Sequence, residues 1–423
     1  MRRRLALVAT VAIATAACST GPTDPGGDTI AVGAVYPLSG SQGQGGIDEH
    51  RGTLLAAQLV NEGGGVDGRT IEIVSTDVSA AEAAPGAVED LHADGIDIVL
   101  GSYGSTISAP ASETAAANDM LFWETGAVGM LTERSEQGER TFRMPPTGAV
   151  LGRNAISFVD GPLAEAFGRT PADLRYAVSF VDDVYGRSVA SGALQAAADL
   201  DLEVVGAFGY DFRTVDYDAL ARRIDRSGAD VLFVSAYLVD AVELRRALVR
   251  NDVDLLASIG TSSSYCMPEF GAALGDGAVG LFASDKPSGD AIDPSTLRPD
   301  GAALLERART AYDERWGEEM SSAALAGFSA AWALFAEVMP TAIDASGTVA
   351  PDAIADAALE ADLPMGSLPN GSGLRFGDPG TATAGDNVAA AAVIWEWMVP
   401  GEHMVVWPPE LATHEVRAMD IVP

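Results

Sequence analysis

The chain has 423 residues, and its 26 lysines and arginines against 60 aspartates and glutamates give a formal net charge of -34. With 48% hydrophobic and 20% charged residues, the composition excludes a largely disordered chain, and the length suits two or three folded domains. The acidic surplus argues against binding to nucleic acids or anionic lipid surfaces through charge, and the two cysteines and four histidines give neither a disulfide framework nor a zinc site of standard spacing.

The N-terminus has the layout of an export signal. Three arginines at positions 2–4 precede an apolar run over 5–17. A helix over that run would span about 20 Å, which is too short for a bilayer core of about 30 Å. Small residues directly before Cys18 resemble a bacterial lipoprotein signal, which implies a signal peptide over 1–17 and acylation of Cys18; an ordinary secretory signal is the alternative. The Gly/Pro/Ser/Thr-rich stretch within 18–29 predicts a flexible tether.

After the tether, short apolar runs rich in β-formers alternate with longer helical patterns. This alternation predicts βαβ units, with parallel sheets covered by helices, in two similar α/β lobes that meet near Pro145. Predicted strands cover 29–36, 70–75, 96–100, 120–123, 175–180, 203–207, 230–235 and 255–259, with a closing pair over 387–398 and 404–407. Predicted helices cover 49–61, 80–93, 105–118, 147–167, 185–200, 217–227, 239–250, 300–316 and 321–338.

The glycine-rich segment 63–68 matches the pattern G-x-G-x-x-G, but its setting argues against a nucleotide site. A dinucleotide fingerprint needs a strand before it and a helix after it, and here the order is reversed, so we predict a turn. The chain also has no G-x-S-x-G elbow, Walker A loop or H-E-x-x-H motif. Serine hydrolase, NTPase and zincin functions therefore lose their usual sequence support, and we expect no cofactor and no bound metal.

In open α/β sheets, ligands bind beyond the carboxyl ends of the strands. The first such end carries Ser102, Tyr103, Gly104 and Ser105, where glycine lets the backbone approach a ligand. The serines and the free N–H groups of the helix start would donate to a carboxylate or amide oxygen. The alternative is a plain helix cap in which Ser105 serves only its own helix.

The second strand end carries an acid, Glu124, directly after an apolar strand and before Thr125, Gly126 and Ala127. A lone carboxylate there is paired with an internal arginine, such as Arg143, or accepts from a cationic or N–H group of a ligand.

The remaining strand ends belong to the second lobe. They place Tyr185 and Tyr237 toward the predicted cleft, with Ser262 as a weaker polar candidate. The alternative for Tyr185 is a packed ring beside a capping pair, Asp182 and Asp183.

Four segments, 34–40, 61–69, 101–105 and 184–186, occur in an order and spacing that resembles the solute-binding proteins of ABC importers, of the leucine/isoleucine/valine-binding type. This resemblance implies the type I periplasmic binding protein fold, which is an α/β fold with two Rossmann-like lobes and parallel sheets joined by a three-segment hinge. It implies an N-terminal lobe over 30–145 plus 285–364, a C-terminal lobe over 146–284 plus 387–423, and a third crossover within 365–386.

The resemblance also assigns roles within the cleft. It implies that Ser105 and the backbone near Tyr103 and Gly104 hold a ligand carboxylate, with Tyr185 and Tyr237 contacting from the other lobe. Residues lining the same side as Ser105 would be Thr125, Gly126 and Ala127.

One departure from the family pattern concerns the ligand's ammonium group. Amino-acid binders of this type keep an acid after the strand ending at Ile259, whereas this chain has Gly-Thr-Ser-Ser-Ser over 260–264. Either Glu124 takes over the ammonium, or the solute is urea, a short amide or another N–H-rich molecule.

The expected function is a receptor of the cell envelope, held to the membrane only by its N-terminal lipid. It would capture a small polar solute, above all a branched-chain or related amino acid, and deliver it to an ABC permease and its ATPase. Alternatives are a urea- or amide-binding component and a ligand-sensing receptor of the same fold. An enzyme is disfavoured because no nucleophile–base or metal set is recognisable in the sequence.

Overall fold

The computed structural model describes residues 29–129, 139–289 and 291–417. Within them the chain forms two α/β lobes, each built on its own sheet, and this confirms the predicted fold class. Cys18, the predicted signal and all of the predicted tether except Thr29 lie outside the described residues.

The N-terminal lobe is built on five parallel strands in the order β2-β1-β3-β4-β5. These strands are β1 (Thr29–Tyr36), β2 (Thr70–Asp77), β3 (Ile98–Gly101), β4 (Leu121–Glu124) and β5 (Thr141–Arg143). The helices between them are α1 (Gly43–Glu62), α2 (Ala84–Ala93) and α3 (Ser105–Ala117).

The C-terminal lobe is built on seven strands in the order β12-β11-β10-β9-β8-β6-β7. Strands β6 to β10 run parallel, and the hairpin of β11 and β12 closes one side in antiparallel register. The strands are β6 (Arg175–Val181), β7 (Glu203–Tyr210), β8 (Val231–Ser235), β9 (Ala257–Thr261), β10 (Phe282–Asp285), β11 (Val393–Val399) and β12 (Glu402–Trp407). The helices are α4 (Gly148–Phe158), α5 (Ala164–Ala166), α6 (Val184–Asp199), α7 (Tyr217–Ser227), α8 (Leu238–Arg250) and α9 (Pro268–Leu274).

The chain passes between the two lobes three times, after β5, after β10 and before β11. The segment between the last two passages forms four helices that return to the N-terminal lobe, where Leu305, Phe328 and Ile354 share one hydrophobic core with Val32 and Leu100. These helices are α10 (Pro299–Trp316), α11 (Ser322–Trp332), α12 (Met339–Ser346) and α13 (Pro351–Glu360).

Local sequence signals explain the helix whose bounds match the prediction. Helix α7 begins after Asp216, whose side chain accepts a hydrogen bond from the N–H of Ala219, and it ends at Gly228 in the left-handed region (φ 67°). Between these signals, Leu220 and Ile224 are spaced to bury one face of the helix.

Helix α1 begins at Gly43, six residues before the predicted start. The sequence did not indicate this first turn because glycine is a poor helix former. The glycines serve close packing instead. A Cβ on Gly46 would lie 2.1 Å from the carbonyl oxygen of Pro37. The glycine-rich segment after α1 forms the predicted turn, closed by an isolated bridge between Val66 and Arg69.

The continuous helical run Ser322–Ser346 is long and apolar enough, by length and composition, to cross a membrane. Most of its apolar stretch is buried inside the N-terminal lobe, so the run is explained as a core element of that lobe.

Candidate ligand-binding cleft

A cavity of about 570 Å³, counting its part open to solvent, lies between the lobes beyond the carboxyl ends of the strands. We call it the cleft. Residues of both lobes line it, and the predicted site residues among them are Tyr103, Gly104, Ser105, Gly126, Tyr185, Tyr237 and Ser262. The other four predicted residues, Ser102, Glu124, Thr125 and Ala127, are buried but are not among the lining residues.

The N-terminus of α3 offers hydrogen-bond donors to the cleft. The backbone N–H groups of Ser105 and Thr106 make no hydrogen bond with other described residues. Ser105 Oγ accepts from the N–H of Gly129 at 2.9 Å, which leaves its own hydroxyl proton available. The side chain of Gln42 packs directly against Gly104, since a Cβ there would lie 1.7 Å from Gln42 Oε1. Free N–H groups at the positive end of a 13-residue helix favour an anion.

The tyrosines of the cleft present their rings, because their hydroxyl groups are engaged elsewhere. Tyr185 Oη donates to the carbonyl oxygen of Thr261 at 3.2 Å, and Tyr237 Oη donates to Asp183 Oδ2 at 2.7 Å. The two ring centroids are 5.5 Å apart. From the opposite lobe, Tyr103 Oη lies 3.9 Å from Met267 Sδ, so this contact crosses the cleft.

Glu124 is the last residue of β4, and it lies behind the wall of the cleft. Its Oε1 accepts from the N–H groups of Gly126 at 2.9 Å and Ala127 at 2.7 Å. Burial raises the pKa of Glu124 to about 7, although hydrogen bonds from Ser108 and from these two N–H groups oppose the rise. The carboxylate thus holds the turn that carries part of the cleft wall.

Ser102 and Thr125 are likewise engaged behind the wall. Ser102 Oγ lies 2.8 Å from Ser108 Oγ and donates to the carbonyl oxygen of Gly104. Thr125 Oγ1 donates to Glu49 Oε1 at 2.6 Å.

Two titratable side chains, one from each lobe, meet at Gly126. Lys286 Nζ, which follows β10 in the C-terminal lobe, donates to the carbonyl oxygen of Gly126 at 3.0 Å. A Cβ on Gly126 would lie 1.7 Å from Glu49 Oε2, so Glu49 packs directly against the same residue. Burial raises the pKa of Glu49 to about 8, while the positive charge of Lys286 lowers it. Within the described residues, no carboxylate oxygen lies within 4.0 Å of the Lys286 ammonium.

The sequence has no acid directly after β9, but the neighbouring strand β10 ends in a buried acid, Asp285. Strand β10 runs beside β9 with Ser284 paired to Thr261, so the residues after these two lie next to each other. Ser262 Oγ donates to Asp285 Oδ1 at 2.7 Å, and Asp285 lines the cleft with only 1% of its surface exposed.

The sequence prediction did not include Asp285, Lys286, Asp48 or Glu269, all of which line the cleft. Asp285 and Lys286 come shortly after an apolar run over 281–283, and the strand-end rule applied to that run would have indicated them. Asp48 and Glu269 lie on helices, where sequence position gives no comparable signal. Among the residues that the structure describes, no group of three or more His, Cys, Asp or Glu side chains is placed to hold a metal ion.

Comparisons with known proteins agree on one architecture. A family model described as periplasmic binding protein matches residues 29–391. Leu/Ile/Val-binding protein homolog 8 of Brucella abortus (strain 2308) is 28% identical over 392 residues, which cover 92% of this chain and 93% of that protein.

Solved structures of similar fold differ in the ligand they hold. LivJ, the branched-chain amino acid transporter substrate binding protein of Streptococcus pneumoniae in complex with isoleucine, matches with a TM-score of 0.71 and 19% identity over 90% of this chain and all (100%) of that one. An ABC transporter solute binding protein of R. palustris in complex with benzoate matches with a TM-score of 0.71 and 16% identity, over 92% of this chain and 99% of that one. At these identities the solved structures establish the fold alone.

Proposed function

Because the chain belongs to the type I periplasmic binding proteins of the branched-chain amino acid family, we propose that it captures a small zwitterionic solute of the amino-acid class between its lobes. The observation that carries this proposal is the cleft itself, which combines the free helix start at Ser105 with the buried carboxylate of Asp285.

The helix start would hold the carboxylate of the solute. Ser105 offers its hydroxyl proton, and the N–H groups of Ser105 and Thr106 lie at the positive end of α3. The ligands named for two of the solved relatives support this choice, because isoleucine and benzoate share a carboxylate.

The ammonium of the solute needs an acidic partner inside the cleft. Asp285 is the buried acid among the lining residues, whereas Glu124 is engaged by the turn behind the wall. We therefore assign the ammonium to Asp285 and no longer to Glu124. The rings of Tyr185 and Tyr237 would cover the solute from the C-terminal lobe.

We further propose that the protein is exported by a signal over 1–17, acylated at Cys18 and tethered to the cell envelope by 18–29. It would then deliver its solute to an ABC permease and its ATPase. The lobe limits near 145, 285 and 364–387 stay predictions, as does the absence of enzymatic activity.

Calorimetric titration of the chain from Ser19 onward tests the solute class. The panel holds the amino acids, small carboxylates, urea and short amides. The titration gives the Kd of each solute. At about 100 times its Kd, a true ligand should add about 2.7 kcal/mol to the free energy of unfolding, measured by denaturation. It should also reduce the radius of gyration measured by X-ray scattering, because the lobes close.

The variant Ser105→Ala should weaken binding of the amino acid about tenfold, because a hydrogen bond to a charged group is lost. Ser191→Ala, on the exposed face of α6, is the matched control and should bind like the parent. Binding of urea or amides alone would contradict the proposal and favour the amide-binding alternative. An unchanged Kd for the amino acid in the Ser105 variant would contradict the assignment of its carboxylate to the helix start.

A further inference from the structure

Part of the cleft is partly exposed to solvent, and the proposed contacts with the α-carboxylate and α-ammonium of the solute do not use it. Asp285 and Lys286 lie at its buried end, with 1% and 5% of their surfaces exposed. The lining residues Asp48, Glu269 and Pro268 are more exposed to solvent, and we call the part of the cleft that they line the outer end.

Two carboxylates from opposite lobes converge at the outer end. Asp48 comes from α1 of the N-terminal lobe, and Glu269 comes from the first turn of α9 in the C-terminal lobe. Both line the same cavity, and the negative charge of Glu269 acts on Asp48.

Asp48 has one cation at the edge of ion-pair distance, and Glu269 has none among the residues described. Asp48 accepts from Gln44 Nε2 and Ser321 Oγ, both at 3.2 Å, and its nearest positive group is Arg51 Nη1 at 3.8 Å. The side chain of Glu269 makes no hydrogen bond or ion pair with any of the residues described. Closing the lobes without a cation between them brings two like charges together at low solvent exposure, and this disfavours the closed state.

The net charge of the residues that line the cleft also favours a ligand with a positive side chain. Three carboxylates, Asp48, Glu269 and Asp285, face the cleft against the single ammonium of Lys286. A zwitterion with an uncharged side chain adds no net charge and leaves this surplus in place. A ligand with one further positive group reduces it.

The wall between the two ends suits an alkyl chain. Tyr103 packs on Gly45, one turn before Asp48 on α1, and it contacts Met267, two residues before Glu269. An aliphatic stem passing this ring and thioether would carry its charged tip to the outer end.

We propose that the cleft is specific for a basic amino acid, whose side-chain ammonium or guanidinium lies between Asp48 and Glu269 and draws the two lobes together. This rests on the proposed function, because the α-carboxylate and α-ammonium must occupy the helix start at Ser105 and the acid Asp285. Aliphatic amino acids would then bind more weakly.

The test compares ligands of the same shape that differ in charge. Calorimetric titration of the chain from Ser19 onward with L-arginine and L-citrulline isolates the guanidinium charge, and L-lysine with L-norleucine isolates the ammonium. We expect the charged member of each pair to bind at least about tenfold tighter, as for a charge-assisted contact in a closed site.

Variants connect that preference to the two carboxylates. Asp48→Asn and Glu269→Gln should each reduce the arginine/citrulline ratio several-fold, and the double variant should reduce it to about one. The double variant Glu89→Gln/Asp90→Asn, on the exposed face of α2, removes the same charge elsewhere and should keep the parent ratio.

Three other outcomes of these titrations would overturn the inference, and they can be told apart. Leucine or citrulline binding as tightly as arginine would refute the basic side chain and leave the proposed amino-acid function standing. An equal loss of arginine and citrulline binding in the Asp48 and Glu269 variants would show a structural role instead. If no amino acid binds, the proposed function fails, and this inference falls with it.

Discussion

At the scale of single residues, Gly126 is a point of contact between the two lobes. Its carbonyl oxygen accepts from the Lys286 ammonium of one lobe, and its missing Cβ leaves room for the Glu49 carboxyl of the other. Any side chain at this position would displace the carboxyl group of Glu49.

Glu49 should make the stability of the protein depend on pH. Burial raises its pKa from 4.5 to about 8, so the folded state holds this proton more tightly than the unfolded state. The resulting stabilisation is complete below about pH 4.5 and is lost as the pH rises through about 8. Glu49→Gln stays neutral, so its stability relative to the parent should increase between pH 5 and 8, by at most about 1.4 kcal/mol per pH unit.

Urea unfolding at pH 5, 6.5 and 8 measures this difference, with the exposed Glu89→Gln as the control. A difference between the Glu49 variant and the parent that stays constant across the three pH values would contradict the assignment.

The residue scale is also where sequence reasoning reached its limit. The strand-end rule located Ser105, Tyr185 and Tyr237, because a residue after a parallel strand faces the cleft edge by geometry. It could not separate Glu124 from Asp285. Which carboxylate faces the cavity depends on turn hydrogen bonds and on which strand lies beside β9, and both are tertiary facts.

At the scale of elements, helices α1 and α11 touch backbone to backbone at two glycines. A Cβ on Gly52 would lie 2.0 Å from the carbonyl oxygen of Ala324, and one on Gly327 would lie 2.0 Å from that of Glu49. This close crossing anchors the helix that carries Asp48 and Glu49 to the core of the N-terminal lobe.

Gly52→Ala should therefore lower the free energy of unfolding by about 1–3 kcal/mol, because the helices must separate to accept the methyl group. Gly86→Ala in α2 has nothing within 4 Å of the new Cβ, and it should raise the free energy of unfolding by about 0.5–1 kcal/mol through helix propensity. Chemical denaturation compares the two variants. Equal stability of both would mean that the α1–α11 contact is looser than described.

Sequence patterns predicted most helices and strands, but they missed those that depend on packing in the folded structure. Apolar runs located eight of the parallel strands within a few residues. Strand β5 has only three residues, so it gives no periodic signal of its own. Strand β10 (Phe282–Asp285) has only two apolar residues before Ser284 and Asp285, so its apolar signal is weak. The start of α1 consists of glycines that only the packed structure accounts for.

At the scale of the whole molecule, the two-lobed α/β fold and the family were both predicted from the sequence and are confirmed. Their signal was an alternation of strands and helices over the full chain, which does not depend on any one boundary. The acidic surplus belongs to the same scale. Among the described acidic residues only Glu49, Glu124, Asp240, Asp285 and Glu396 are buried, so the surplus lies largely at the surface.

Repulsion within this surface should make folding sensitive to low salt. Raising the NaCl concentration from 0.01 to 0.1 M shortens the screening length from about 30 to about 10 Å. With a net charge of -34, we expect the melting temperature to rise by about 2 °C or more over this range. Scanning calorimetry with an equal osmolarity of sucrose as the control measures it, and a flat response would mean that local ion pairs already compensate the surplus.

Lys286 is the only lysine of the chain, and it lies in the cleft between the lobes with 5% of its surface exposed. Amine-selective reagents therefore meet a single side-chain target in the described structure, and they reach it only when the lobes separate. Burial lowers the pKa of this ammonium, but the neighbouring charges of Asp285 and Glu49 raise it above its ordinary value, which slows the reaction further. The rate of acylation at this one nitrogen therefore reports how often the lobes separate. Mass spectrometry can measure that rate on the wild-type sequence without introducing a label site.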